Sequence, residues 1–354
     1  MSTPAKQRNP AMDVIRVFAL LTVIGVHFFL NTDFYDVPVQ GVRMCLMACM
    51  REFLMICVPL FLVLSGYLMK NKKISKSYYK GIVKTLAIYV LASLACGVYK
   101  YFAYRESFAP FGVIWGIFDY TTAPYSWYVE MYIGLFLLIP FLNLTYNNLE
   151  SKKQKQALLL SLILLTAAPA VINTFSSRVL TNVLPDWWSA FYPITYYFIG
   201  CYLRDYPIKL KKRVNISLII AVTAVFGAIV CYFSYGQPFP WSEFNEYKSL
   251  FVLILTVLVF SLFANLNYDK VGAKFRKVFS YLSNLVFGAY LCSWIYDDWF
   301  YGILNKHITS MPERLNYYIL IVAAVFVCSL ATSAVLNLIY SGAGKLWVKI
   351  RKTH

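Results

Sequence analysis

The sequence predicts an all-α integral membrane protein of about ten transmembrane helices, with both termini in the cytoplasm. Three observations support this fold class: an apolar composition, a series of apolar runs of spanning length, and a one-sided distribution of basic residues. Of the 354 residues, 60% are hydrophobic and 14% are charged, against roughly 45–50% and 25% in globular proteins. We expect residues 1–354 to form a single transmembrane domain, with cytoplasmic tails of about 1–12 and 341–354.

The apolar runs are spaced along the whole chain. A helix needs about 20 apolar residues to cross a bilayer, and ten runs approach that length. The run at 188–203 is the shortest, and we expect Trp187 and Trp188 to anchor it at an interface. An even number of spans puts both termini on the same side. The runs lie at 13–31, 53–69, 82–103, 126–146, 157–174, 188–203, 215–234, 248–266, 279–300 and 317–340.

The charge distribution orients these spans. A net charge of +17 would indicate nucleic acid in a soluble protein. Here most Lys and Arg fall on the inner side if the N-terminus is cytoplasmic, whereas most acids fall outside, as the positive-inside rule requires. We therefore expect the charge to favour membrane lipid rather than nucleic acid. The first span has no A-x-A-like cleavage site, so no cleavable signal peptide is expected.

The first span carries titratable side chains at membrane depth, where they are costly and usually mark function. Arg16 and His27 are eleven residues apart, so on an α-helix they lie within roughly 20° of one face and about 16 Å apart along the axis. Asp13 precedes Arg16 by three residues, which is close enough for a pair. The alternative is an interfacial ion pair plus a histidine bonded to a neighbouring backbone.

The most basic segment precedes the third span. Lys80 and Lys84 are four residues apart and would share one face of a helix. This pair predicts either a phosphate-binding clamp or simple anchoring at the inner membrane surface.

Aromatic and acidic side chains mark the outer side. Trp127, Tyr128 and Glu130 open the fourth span; an aromatic belt explains the first two but not the glutamate. Outer loops near 185–188, 240–243 and 297–299 combine Trp with acids, as a sugar-binding surface does, although a belt with solvated acids explains each loop equally well. Residues 32–52 are expected to form another outer loop, part of it an amphipathic helix lying on the membrane.

Several common sites are missing from the sequence. There is no P-loop and no G-x-G-x-x-G. The three His and eight Cys form no ligand cluster, so we expect no metal, and we interpret the cysteines as small apolar core residues.

Several stretches together resemble one family. Arg16, ten residues and His27, within AMDVIRVFALLTVIGVHFF, resemble the Arg-x10-His signature of the acyltransferase type 3 family of integral membrane acyltransferases. PLFLVLSGYLM, YYKGIVKTLAIY, SWYVEMYIGLFLLIPFLN and NLVFGAYLCSWI resemble later helices of that family, so the resemblance covers essentially the whole chain. Two features depart from it: Ser293 stands where the family often has His, and Lys80 and Lys84 stand where Arg is common.

The resemblance implies transfer of an acyl group, usually acetyl, from cytoplasmic acyl-CoA. The implied acceptor is a hydroxyl of an envelope glycan, exopolysaccharide or lipid-linked sugar, and the implied location is the bacterial plasma membrane. No permanently bound cofactor and no fused outer domain are expected.

The roles that we assign follow the charged face of the first span. Arg16, Lys80 and Lys84 would hold the CoA phosphates, Asp13 would orient Arg16, and His27 would take the acceptor proton. The acceptor side would be formed by Trp127, Tyr128 and Glu130. Because no Cys or Ser obviously pairs with His27, we expect direct transfer.

A second hypothesis of a different class is a transporter of a small solute or acyl group, with His27 as a proton relay. Buried ionisable residues mark such pathways too, but the sequence has no convincing internal repeat, which many transporters show. Consumption of labelled acyl-CoA would distinguish the two. A scaffold would leave the charged face unexplained.

Overall fold

The computed structural model describes residues 8–104, 110–176, 182–268 and 270–353, and these ranges are built from α-helices and short 3-10 turns. The predicted all-α fold is confirmed. Extended pairing within these ranges is limited to two isolated bridges, Pro38 with Pro238 and Val39 with Tyr235. The α-helices are α1 (Pro10–Leu30), α2 (Gly41–Leu54), α3 (Cys57–Met69), α4 (Lys76–Lys80), α5 (Val83–Tyr104), α6 (Pro110–Phe118), α7 (Trp127–Asn147), α8 (Lys152–Thr166), α9 (Ala168–Ser176), α10 (Tyr192–Asp205), α11 (Lys212–Ser234), α12 (Leu250–Ala264), α13 (Ala273–His307), α14 (Met311–Arg314) and α15 (Tyr318–Thr353).

In the described ranges, eight helical stretches are long and apolar enough to cross a membrane, and a ninth forms if α8 and α9, bent by 42°, make one span. An integral membrane protein is therefore confirmed. The eight stretches are Pro10–Leu30, Gly41–Met69, Lys76–Tyr104, Trp127–Asn147, Lys212–Ser234, Glu243–Ala264, Ala273–His307 and Met311–Lys345.

The tenth expected span, 188–203, is α10, whose 14 residues fall short of spanning length. It lies parallel to α3 in close backbone contact: a Cβ on Gly66 would lie 1.9 Å from the Tyr197 carbonyl oxygen, and one on Gly200 would lie 2.0 Å from the Val63 carbonyl oxygen. A helix enclosed by protein need not match the lipid thickness. The number of spans by length and composition is thus eight or nine, and an even number of crossings stays a prediction.

The prediction of an outer loop over residues 32–52 is wrong for the second half of that segment. Its second half is α2, which continues into α3 after a short turn, so that Gly41–Met69 is one 29-residue stretch. Arg51 and Glu52 on α2 are completely buried, 3.1 Å apart. Because each charge neutralises the other, a helix with polar residues in its sequence can be buried inside the protein.

Two other helices differ from their expected bounds. α13 has 35 residues, so the acidic stretch 297–299 lies inside a helix rather than in an outer loop. α15 continues to Thr353, through most of the segment expected as the C-terminal tail.

α1 lies at the centre of the fold. It packs against α13, α3, α15, α12 and α2, and most of its side chains are buried. A polar side chain on this helix therefore faces protein rather than lipid.

Candidate functional site

The inner end of α1 is tied to α13 by two arginines. Asp13 is buried, and its carboxylate accepts two strong hydrogen bonds from Arg8, from Nε at 2.7 Å and from Nη2 at 2.7 Å. The expected partner Arg16 is farther away, at 3.8 Å. Arg16 instead donates to the Ser283 hydroxyl at 2.7 Å. The acid–guanidinium pair was predicted correctly, but its closer member is Arg8.

Beside this end lies a cavity of about 320 Å³, which we call the inner chamber. Its polar wall includes Arg16, Lys84, Ser283 and Asn284, and its apolar wall includes Val23, Val58, Tyr128 and Tyr290. Lys80 does not line it. Lys80 ends α4 and Lys84 belongs to α5, because a tight turn at residues 81–82 interrupts the helix that was expected to carry both. Of the two lysines, Lys84 is the one that lines the inner chamber together with Arg16.

His27, near the outer end of α1, pairs with a carboxylate. Its Nδ1 lies 3.0 Å from Asp297 Oδ2, and both side chains are buried. An ionised carboxylate only accepts hydrogen bonds, so Nδ1 carries the proton that is shared with Asp297. Nε2 is then the free lone pair, the arrangement of a histidine general base oriented by an acid.

Tyr125, in the loop before α7, contacts both members of this pair. Its hydroxyl donates to Asp297 Oδ2 at 2.9 Å, and its ring lies 4.0 Å from the His27 ring, centroid to centroid. Burial raises the pKa of Tyr125 well above its usual range, and the neighbouring Asp297 charge raises it further. The hydroxyl therefore stays protonated and keeps donating to Asp297. Asn31 completes the group by donating to the His27 carbonyl oxygen at 2.7 Å.

His27 also lines a second cavity of about 350 Å³, the outer chamber. Aromatic and acidic side chains form most of its rim: Tyr35, Tyr125, Trp127, Trp241, Glu246 and Tyr247. Aromatic rings that carry a hydroxyl or an indole N–H, together with a carboxylate, suit a polyhydroxylated ligand. The ring faces pack on its apolar surface, and the polar groups bond its hydroxyls.

Two loops, 31–40 and 235–249, cover this chamber, and we call them the outer cap. The Val39 amide donates to the Gln237 carbonyl at 2.8 Å, which joins the loops. Trp241 stacks on Tyr35 with 4.4 Å between ring centroids. The buried Arg51 lies under both rings, donates to the Tyr35 hydroxyl at 3.1 Å and also bonds the Asn245 carbonyl. Arg51 thereby holds the cap in register with α2.

The two chambers meet along α1. Val23, Val58 and Tyr290 line both cavities. Arg16 thus stands in one chamber and His27 in the next, with a shared apolar wall between them. This is the two-ended face that the Arg16–His27 spacing predicts.

The remaining predicted residues fall in different places. Trp127 lines the outer chamber and Tyr128 the inner one. Glu130 is exposed on α7 and lines neither chamber. Ser293 is buried and donates to the Tyr290 carbonyl oxygen, and the partner of His27 is found one helical turn further along α13.

Sequence reasoning missed Asp297, Tyr125, Arg8 and Glu246. Asp297 belonged to an acidic stretch that was assigned to a sugar-binding surface, and only its burial distinguishes it from Asp298. The sequence signal that could have identified Asp297 is an acidic residue inside the apolar run of a late span. Among the described residues, no group of three or more His, Cys, Asp or Glu side chains is placed to hold a metal ion.

The fold and the site define a class: a polytopic helical membrane protein with a histidine–carboxylate pair at an aromatic chamber, which adjoins a chamber with basic side chains. The model of the acyltransferase 3 family, described as an acyltransferase domain, matches residues 9–335. The chain belongs to this family and is a membrane acyltransferase that transfers groups other than aminoacyl groups. The resemblance seen in the sequence is confirmed. No curated protein and no solved structure matches the chain.

Proposed function

We propose that this enzyme moves a short acyl group, acetyl, from acyl-CoA in the inner chamber to a carbohydrate hydroxyl in the outer chamber. One observation carries the proposal: Arg16 and His27 line adjoining chambers that share the wall formed by Val23, Val58 and Tyr290. A donor anchored by its charged end at Arg16 could then present its other end to His27.

The inner chamber suits an acyl-CoA donor. CoA carries phosphates, and Arg16 and Lys84 offer charge-assisted hydrogen bonds to them, with Arg able to bind in two-pronged fashion. The pantetheine arm is comparable in length to the separation of about 16 Å along the helix between Arg16 and His27. In this proposal Asp13 orients Arg16 with the help of Arg8, and Lys80 contributes at most long-range attraction.

The chemical step uses His27 as the base. Nε2 takes the proton of the acceptor hydroxyl while that oxygen attacks the thioester carbonyl carbon and forms the new C–O bond. The C–S bond then breaks, and the imidazolium returns the proton to the CoA thiolate. Asp297 compensates the transient positive charge on His27 at membrane depth. No covalent enzyme intermediate is needed.

The outer chamber suits the acceptor. Trp127 and Trp241 offer ring faces for a sugar, and Glu246 offers a hydrogen-bond acceptor for its hydroxyls. In this arrangement Glu246 takes the role expected of Glu130, and Tyr128 belongs with the donor. The acceptor class is an envelope glycan, an exopolysaccharide or a lipid-linked sugar, and the enzyme works in a bacterial plasma membrane with its inner chamber towards the cytoplasm.

The test uses the full chain, purified in lipid, with labelled acetyl-CoA and a panel of glycan acceptors. Label should appear on a glycan in the wild type and be lost in His27→Gln, which keeps a polar side chain of similar size. Hydrolysis of acetyl-CoA with no glycan labelled would contradict the acceptor class. Uptake of label without consumption of the thioester would support the transporter instead.

A further inference from the structure

One face of α13 carries a row of polar side chains beyond the pair with His27. Asp297, Tyr301 and Asn305 follow one another at intervals of four residues, so they share a stripe about one turn apart. Asp297 Oδ1, the Tyr301 hydroxyl and Asn305 Oδ1 are buried and have no hydrogen-bond partner among the residues that the structure describes. Asp297 is 0% exposed and Tyr301 1%.

The two oxygens of Asp297 differ in surroundings. Oδ2 accepts hydrogen bonds from His27 Nδ1 at 3.0 Å and from the Tyr125 hydroxyl at 2.9 Å. Oδ1 has no hydrogen-bond partner in the described part of the protein. Most buried polar atoms in proteins have a partner, and where protein supplies none an ordered water usually does.

Tyr301 is the nearest candidate to supply that partner. Side chains on a helix lean towards its N-terminus, so Tyr301 leans back over the turn of Asp297. Its hydroxyl lies within electrostatic reach of the Asp297 carboxylate, yet no direct hydrogen bond joins them. Its ring packs against Phe28, the neighbour of His27, with 5.8 Å between centroids. A buried polar pair that interacts without a direct hydrogen bond is a situation that a bridging water fits.

We propose that one buried water links Asp297 Oδ1 to the Tyr301 hydroxyl, which makes Tyr301 a positioning residue for the His27–Asp297 pair. The water donates to Oδ1 and accepts from Tyr301, so both of these buried groups gain a partner. The carboxylate is then bonded on both oxygens, which fixes its rotation with Oδ2 towards His27. Asn305 Oδ1 extends the row outward as a site for a second water. The role of Tyr301 in transfer rests on the proposed function, but the water site does not.

Removing the Tyr301 hydroxyl should affect chemistry rather than binding, because Tyr301 lines neither chamber. The carboxylate loses a donor and its rotation is no longer fixed, so His27 is held less well for proton transfer and the loss appears in kcat rather than in KM.

The experiment compares the full chain in lipid with Tyr301→Phe. Electron density that resolves ordered water should show a peak between Asp297 and residue 301 in the wild type and none in the variant. In Tyr301→Phe, kcat should fall about tenfold, the effect of losing one hydrogen bond to a charged group, with KM for both substrates unchanged.

The matched control is Tyr318→Phe, whose ring packs against the same Phe28 at 5.0 Å. It should leave both the density and kcat unchanged. No wild-type peak would overturn the water site even if the variant failed to fold. A peak together with an unchanged kcat in Tyr301→Phe would overturn the positioning role. A wild type that shows the peak but transfers no acyl group would contradict the proposed function and leave the water site standing.

Discussion

His27 can act as a base only if its proton sits on the nitrogen away from the substrate. Asp297 imposes this, because a buried carboxylate 3.0 Å from Nδ1 can accept but not donate. The neighbouring acids Asp297 and Asp298 of α13 show that burial gives similar residues different surroundings. Asp297 is fully buried beside His27, whereas Asp298 accepts from the Tyr99 hydroxyl at 2.7 Å on another face.

We predict that Asp297→Asn lowers the rate of acyl transfer about 10²–10⁴-fold, the range for losing general-base catalysis. An amide can donate to Nδ1 and so stabilise the wrong tautomer, with Nε2 protonated. Binding of acyl-CoA, measured by calorimetry, should be unchanged. Asp298→Asn is the control and should keep most of the activity. Equal losses in the two variants would mean that the effect comes from the local structure of α13 and not from the pair.

The two lysines near the inner chamber should also differ. We predict that Lys84→Ala raises KM for acyl-CoA about tenfold, because Lys84 lines the chamber with Arg16 and would lose a charged hydrogen bond to phosphate. Lys80→Ala, with the same loss of charge on exposed α4, should change KM little. Steady-state kinetics at several ionic strengths measures both. If Lys80→Ala had the larger effect, the donor would enter along another face.

At the scale of elements, α3 and α10 cross with their backbones in close contact. Gly66 and Gly200 remove the Cβ atoms that would otherwise separate the two helices. Small residues at such a crossing are how helices associate in membranes, where burial from water gives little driving force. This crossing positions the shared wall, because Val58 is on α3.

We predict that Gly66→Ala destabilises the protein by at least the roughly 1–3 kcal/mol of an overpacked core, since the new methyl meets the Tyr197 backbone at 1.9 Å. Gly134→Ala is the matched control at an exposed position of α7, where a Cβ meets nothing within 4 Å. Thermal unfolding in detergent should show a lower midpoint for Gly66→Ala only. A normal midpoint for that variant would mean that α3 and α10 lie farther apart.

The outer cap offers a test of the acceptor side. We predict that Trp241→Ala raises KM for the glycan about tenfold, as loss of a large aromatic contact does at a binding site, with KM for acyl-CoA unchanged. Trp187→Ala removes the same side chain from an outer loop, where it is 87% exposed and lines neither chamber. It should have no effect. A rise in KM for acyl-CoA in Trp241→Ala would show that the cap serves the donor.

At the scale of the whole molecule, the two ends of the helical bundle differ in charge. Lys70, Lys155 and Asp205 meet where α3 and α10 end and α8 begins, and this end carries the basic loops. The aromatic chamber and the outer cap lie towards the other end. Such a difference is what the positive-inside rule uses to orient a chain.

We predict that both termini are cytoplasmic. A fluorescent reporter that matures only in the cytoplasm, fused after His354, should be bright, and a phosphatase active only outside the cytoplasm should be inactive at the same position. The two fusions control each other. The opposite pattern would place the C-terminus outside the cytoplasm and contradict the prediction.

The sequence by itself determined the membrane class, the helical fold and the Arg16–His27 face. These follow from local rules: a backbone in lipid must satisfy its own hydrogen bonds, which requires helices, and helical periodicity places residues eleven apart on one side. The family motifs are also local. The start of the fourth span indicated Trp127 and Tyr128 together as acceptor-side residues, but Trp127 lines the outer chamber and Tyr128 the inner one.

Only the tertiary structure decided which groups meet across the chain. Asp297 lies 270 residues from His27, Arg8 displaces Arg16 as the closer partner of Asp13, and Glu130 faces outward while Glu246 enters the outer chamber. The enclosure of Arg51 and Glu52 and the shortness of α10 depend likewise on neighbours that are distant in sequence. Whether a polar side chain is exposed, paired or catalytic depends on its surroundings, and those are set by packing between helices, for which one helix's periodicity carries no information.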